Sequence, residues 1–187
     1  TTSSRAMLVD ADGRVVDAVQ NPFPQRYPQP GWVQMNIDEF LNITVECMRK
    51  TVDAIKGKGY SPSDIAAVMG DGIICGICGV DENGKAVTPY INYLDSRTQA
   101  DVDAINAKNL DIWGRETGNP EANCMFPAMF ARWFLANSED FRQKGVKFVH
   151  NAPYILMNLA GLKGTDAFID WGAMSGWGSV SYTHLTL

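Results

Sequence analysis

The chain has 187 residues, 45% of them hydrophobic and 20% charged, with a formal net charge of −5, an ordinary globular composition long enough to bury one core. The acidic balance argues against nucleic-acid and anionic-membrane partners, which select basic patches. The sequence has neither a bilayer-spanning apolar window nor the apolar core of a secretory signal, so a cytoplasmic protein is the expectation.

The chain opens with the hydroxyl residues Thr1, Thr2, Ser3 and Ser4, followed by Arg5. Hydroxyl donors, backbone N–H groups and a fixed positive charge within a few ångströms suit a nucleotide phosphate. The same run also reads as a solvated polar terminus. Ala6 and Leu8 then alternate with Met7 and Val9, Asp12-Gly13 signals a hairpin, and Val15, Val16, Ala18 and Val19 supply the return strand. Residues 21–30 carry four of the nine prolines and form an extended connector, with Trp32 packing where it meets the body. Asn36 with Glu39 is a capping-box-like pair. Ile37, Leu41, Val45, Met48, Val52 and Ile55 recur at spacings of three and four, which predicts an amphipathic helix over 37–56. Residues 65–69 form an apolar run suited to a strand buried on both faces. Strand, helix and strand in this order indicate an α/β domain.

Gly70-Asp71-Gly72-Ile73-Ile74-Cys75-Gly76 invites a dinucleotide-binding reading, and with it an oxidoreductase, which needs a helix directly after the glycines. Instead Ile77 to Val80 run into Asp81-Glu82-Asn83-Gly84-Lys85, a second hairpin signal, with a return strand over 86–91. The glycines therefore read as close backbone packing beside a cleft. Cys75 and Cys78 form a C-x-x-C with no second pair, and positions three apart in a strand face opposite sides, so all four cysteines are expected to be reduced thiols without metal. Helices are predicted over 98–113, from Pro127 through an aromatic face of Phe130, Trp133 and Phe134, and over 154–159. Residues 147–149 form a short strand, and His150 reads as a surface or capping residue.

This succession of elements is similar to the FGGY family of carbohydrate kinases. The resemblance rests on the hydroxyl run with Arg5, the apolar strand, Asp10-Ala11-Asp12-Gly13-Arg14, the second strand, and Tyr27-Pro28-Gln29-Pro30-Gly31-Trp32. It continues through Ile65-Ala66-Ala67, residues 81–85, Tyr93-Leu94-Asp95-Ser96-Arg97-Thr98, Trp133 and Thr165-Asp166. It implies the N-terminal domain of an actin-like ATPase, ribonuclease H-like α/β fold, truncated at both ends. Residues 1–178 would be the partial domain and 179–187 a non-native tail; the family's preceding strand, which carries an aspartate, would be absent.

The resemblance also implies binding of ATP with Mg2+ and phosphorylation of a sugar or polyol between two domains, with a homodimer open to the full-length protein. The general base would lie beyond Leu187, leaving the fragment inactive alone. A catalytically silent sugar-binding or regulatory relative is the alternative. Thr1, Thr2, Ser3 and Arg5 would hold nucleotide phosphates. Residues 71–76 align with the family's substrate loop, which reads Ser-Gly-Gln-Met-His-Gly in xylulokinase-like members and carries Arg-Glu in glycerol kinases. Here Ile74 and Cys75 stand at the reading positions, so glycerol is disfavoured. Asp71, Tyr93, Asp95 and Met125 complete the implied sugar site. Asp71 equally reads as a turn residue, Asp95 as an ion-pair partner of Arg97, and Tyr93 as a core aromatic.

Overall fold

A computed structural model describes residues 2–110, 114–115, 118–119, 121–170 and 172–177. Strands β1 (Ser3–Val9) and β2 (Val15–Pro22) pair antiparallel, from Ser3 opposite Pro22 to Val9 opposite Val15. Their turn is built by one carboxylate: Asp10 Oδ1 accepts from the backbone N–H groups of Asp12 and Arg14, both at 2.9 Å. Gly13 takes the φ of +82° that closes it. Ser4 faces inward on β1 while Ser3 and Arg5 face outward, as period-two alternation requires.

The inward face packs on α1 (Ile37–Ile55), whose first turn is capped by Asn36 Oδ1 accepting from the N–H groups of Asp38 and Glu39. The helix was expected over 37–56 and is found there. Its buried stripe, however, runs through Phe40, Thr44, Cys47 and Thr51 rather than Leu41, Val45, Met48 and Val52. The cause lies in the hairpin. Thr44 Oγ1 donates to the Phe40 carbonyl, so the Ser4 hydroxyl, 2.7 Å away, donates to Thr44. This polar pair lets a Thr stripe face the strands and turns Met48 and Val52 toward a groove.

A second sheet has the order β3-β5-β4-β6, formed by β3 (Gln34–Met35), β4 (Gly76–Val80), β5 (Tyr90–Asn92) and β6 (Lys147–Val149). The fully buried β4 sits between β5, with Ile77 opposite Ile91, and β6, with Cys78 opposite Val149. The hairpin expected at 81–85 is present. Asp81 Oδ1 accepts from Asn83 and Lys85 N–H at 2.9 Å, the device already seen at Asp10. The return strand begins later than residue 86, because Pro89 has no N–H and Gly79 N–H bonds the Thr88 hydroxyl instead of a ladder carbonyl.

Helix α2 (Gln99–Asn106) is shorter than the expected 98–113; residues 111–113 lie outside the described residues. Helix α3 (Pro127–Asn137) brings Phe130 and Phe134 onto Ile77 and Ile91. Ser138 caps the short α4 (Glu139–Lys144). Helix α5 (Asn151–Ala160), longer than the expected 154–159, packs Tyr154 and Met157 with Cys78, Val80 and Tyr90 on the other face of the sheet.

One expectation fails outright. Residues 65–69 form no strand, and Val68 and Met69 are 58% and 94% exposed. No strand among the described residues pairs with this run, and an apolar run without ladder partners has nothing to hold it flat. It instead forms one wall of the groove opposite β1.

Candidate active site

On the outer face of the hairpin, Gln20 ties two phosphate candidates together. Its amide donates to Ser3 Oγ at 2.8 Å, and its carbonyl oxygen accepts from Arg5 Nε at 3.1 Å and from Arg5 Nη2. Because the Ser3 oxygen accepts here, its own proton remains to donate, and exposed Arg5 has further N–H groups beyond the two used. Thr2 is exposed at the strand entrance, its carbonyl accepting from Phe23 N–H. Thr1 lies outside the described residues, as does the expected non-native tail at 179–187.

Ser3 and Arg5 belong to a groove of about 640 Å³ between β1 and residues 65–73, with Phe40, Met48 and Leu156 beneath it. Asp71 lies on the boundary between this groove and a second cavity of about 350 Å³, lined also by Ile74, His150, Asn151 and Asp170. The loop before β4 is held by Asn151, whose Oδ1 accepts from Ile73 N–H at 2.9 Å. A Cβ on Gly72 would stand 2.5 Å from that same oxygen, and one on Gly76, at φ +139°, 2.5 Å from Tyr90 Oη. The glycines therefore serve close packing, as expected, and the chain runs from them into β4 rather than into a helix, which removes the dinucleotide reading.

Asp71 is exposed and uses one carboxylate oxygen on its neighbour, Gly72 N–H, at 2.8 Å. Ile74 is 53% exposed at the cavity wall. Cys75 is half-buried, and burial pushes its thiol up, so it presents a neutral S–H. Cys78 points into the main core, where burial raises its thiol further.

The other sugar-site candidates are placed elsewhere. Tyr93 sits half-buried in the turn just beyond β5, and Met125 half-buried in an Asx turn before α3, with its N–H on Asn123 Oδ1. Neither lines the groove or the cavity. Asp95 is fully buried, and its carboxylate receives Val33 N–H (2.5 Å), Arg97 N–H (2.9 Å), Arg97 Nε (2.9 Å) and Arg97 Nη2 (2.8 Å). The Arg97 guanidinium lies 3.8 Å from the Trp32 ring centroid and 4.8 Å from that of Trp133. Asp95 is therefore an ion-pair residue that pins the proline connector to the sheet, with no lone pair turned to solvent, and its placement in the sugar site is corrected.

His150 departs from its expected surface or capping role. It occupies the N-cap position of α5 without a side-chain cap bond and is 2% exposed. Trp177 Nε1–H donates to its Nε2 at 2.9 Å. Burial pulls its pKa down to about 4, against the opposing charge of Asp170, so the ring is neutral. Asp170 in turn accepts from Ala173 N–H. One signal for His150 and Asn151 was available in the sequence: they stand where a strand hands over to a helix, the place where α/β folds put ligand-facing groups. Nothing in the sequence around Asp170 marks it.

An α/β domain whose hairpin donors and loop carboxylate open on one connected cleft is the class that fold and site define. The family model for the FGGY carbohydrate kinases, N-terminal domain, matches residues 1–174, and the chain belongs to that family. Glycerol kinase of Aromatoleum aromaticum is 36% identical over 144 residues, 72% of this chain and 27% of that protein. Glycerol kinase 2 of Thermotoga maritima is 33% identical over 155 residues, 79% of this chain and 29% of that protein. Xylulose kinase of Rhodospirillum rubrum superposes with a TM-score of 0.84 at 19% identity, over 98% of this chain and 37% of that one. Plasmodium falciparum glycerol kinase with ADP superposes at 0.79 and 19% identity, over 93% and 35%. The fold is that of the actin-like ATPase N-terminal domain, and the chain spans less than a third of the length of the two bacterial glycerol kinases it matches in sequence.

Proposed function

We propose that the protein carrying this domain transfers phosphate from ATP to a hydroxyl of a sugar or polyol longer than glycerol. The observation that carries this reading is the position of Asp71, on the boundary between the groove that contains Ser3 and Arg5 and the cavity beside Ile74. Ser3 and Arg5, with Thr2 at the strand entrance and Thr1 next to it in sequence, suit the nucleotide phosphates; Mg2+ would arrive with them, neutralising charge as phosphoryl transfer requires. Asp71 accepts from a substrate hydroxyl, and Ile74 and Cys75 supply a neutral, partly apolar wall where glycerol kinases of this family carry a charged clamp. Tyr93 and Met125 remain candidates for the rim. The general base belongs to sequence beyond Leu187. Among the described residues no helix is long and apolar enough to cross a membrane, in keeping with the cytosol as the proposed location.

The test is a panel of sugars and polyols assayed by coupled ADP release, with the domain expressed at the full length of its relatives. A pentitol, hexitol or ketose is expected to exceed glycerol. Thr2→Ala is expected to act mainly on ATP. If glycerol proves best, the reading of residues 71–76 is wrong. Sugar binding without ADP release would favour the silent relative.

A further inference from the structure

Arg14, Arg26, Arg97, Arg132 and Arg142 each meet a carboxylate, whereas Arg5 meets the neutral amide of Gln20. The hairpin register makes this pair. Arg5 stands directly opposite Gln20, and Ser3, two residues back on the same face of β1, is the diagonal neighbour. A guanidinium only donates, so the Gln20 atom facing Arg5 is Oε1, and Nε2 is thereby turned to Ser3 Oγ. One side chain thus sets two others. It takes the Nε–H and one Nη2–H of Arg5 and leaves both Nη1 protons for a ligand. By donating to the Ser3 oxygen it also leaves the Ser3 proton to be given elsewhere.

We propose that Gln20 is a positioning residue for the nucleotide phosphates, holding Ser3 and Arg5 in donor geometry while leaving the arginine's positive charge unspent. This deepens the kinase reading above and rests on it. The amide carries the inference. A glutamate at position 20 would hold Arg5 as a charge-assisted pair, but it has no proton to give Ser3 and would draw the Ser3 hydroxyl proton onto itself. It would also set a negative charge beside the phosphates, where like charges repel. For the hairpin alone a glutamate serves at least as well; for an anionic ligand it is the worse residue. Nucleotide affinity therefore separates a positioning role from a structural one.

The test uses the full-length enzyme with the best sugar or polyol of the panel at saturation. Gln20→Glu is expected to raise KM for ATP roughly ten-fold, and Gln20→Met, which keeps the length and removes the hydrogen bonds, roughly three- to five-fold. KM for the sugar should stay within about two-fold of wild type in both. Competition against ATP locates the effect: the inhibition constant of inorganic pyrophosphate should rise along with KM for ATP, while that of adenosine should not move. In a Ser3→Ala, Arg5→Ala background, Gln20→Met should add less than about two-fold, because the groups it positions are gone. If Gln20→Glu does not fold, the Gln20→Met comparison in the two backgrounds decides alone. An active enzyme whose Gln20 variants keep their KM for ATP, an adenosine constant that moves as far as that of pyrophosphate, or an undiminished Gln20→Met effect in the double-alanine background overturns the proposal by itself. A wild type that phosphorylates no sugar or polyol removes the functional reading, and the proposal with it.

Discussion

Two carboxylates lie within a few residues of the two ends of the same β-hairpin, and the structure treats them oppositely. Asp95 is sealed: four N–H groups converge on it, its arginine is stacked between two tryptophans, and water does not reach it. Asp71 is open: one bond to its own neighbour, the remainder facing a cavity. By residue type both are candidates to accept from a sugar hydroxyl, and the sequence already offers Asp95 an ion-pair partner in Arg97. Satisfaction of lone pairs separates them, because a group with every valence matched inside the protein has nothing to offer a ligand.

The contrast is broken most severely at Asp95. Asp95→Ala leaves Arg97 buried and unpaired and should destabilise the domain by about 3–5 kcal/mol, seen as a lower denaturant midpoint. A loss under about 1 kcal/mol would mean that Arg97 finds solvent and that the sealed description is wrong.

Next comes pH. His150 has a folded pKa of about 4, below the ordinary value of 6.5, so between those values the unfolded chain binds a proton that the native ring refuses. Stability therefore rises with pH from about 4 to 6.5 and is flat above. About 3 kcal/mol is lost on acidification across that window, and His150→Gln should flatten the profile. Chemical denaturation at half-unit pH steps measures it.

At the open carboxylate the expected effect moves from stability to turnover. Asp71→Ala should leave the denaturant midpoint within about 0.5 kcal/mol of wild type and weaken kcat/KM for the sugar by about 1.5–3 kcal/mol in the full-length enzyme, with KM for ATP unchanged. An effect on ATP alone would place Asp71 in the nucleotide site.

The smallest effect sharpens the sealed class. Thr44→Val removes the acceptor of the buried Ser4 hydroxyl and should cost about 1–2 kcal/mol, measured by thermal melting.

What the sequence made legible follows the range of the interaction. The two aspartate-built turns, the Asn36 cap and the Pro127 helix start depend on neighbours a few residues away, and all stand where the pattern put them. The strand expected at 65–69 depends on a ladder partner that no local pattern reports. The face of α1 was off because the Ser4–Thr44 bond, forty residues in span, favours threonines over leucine and valine. For the site, the hydroxyl run and Asp71 came from motif resemblance, whereas His150 gained its meaning only from Trp177, twenty-seven residues away in sequence.

The arrangement of β1 bears on how the domain behaves in a tube. Among the described residues β1 has a single neighbour, so its second edge presents unshared N–H and C=O groups over Ser3–Val9, flanked by half-exposed Met7 and Val9. Such an edge recruits strands from other molecules, and the net charge of −5 opposes their approach. Salt shortens that repulsion to roughly 8 Å at physiological ionic strength, so colloidal behaviour of the isolated domain becomes a function of ionic strength, with light scattering rising as salt is added.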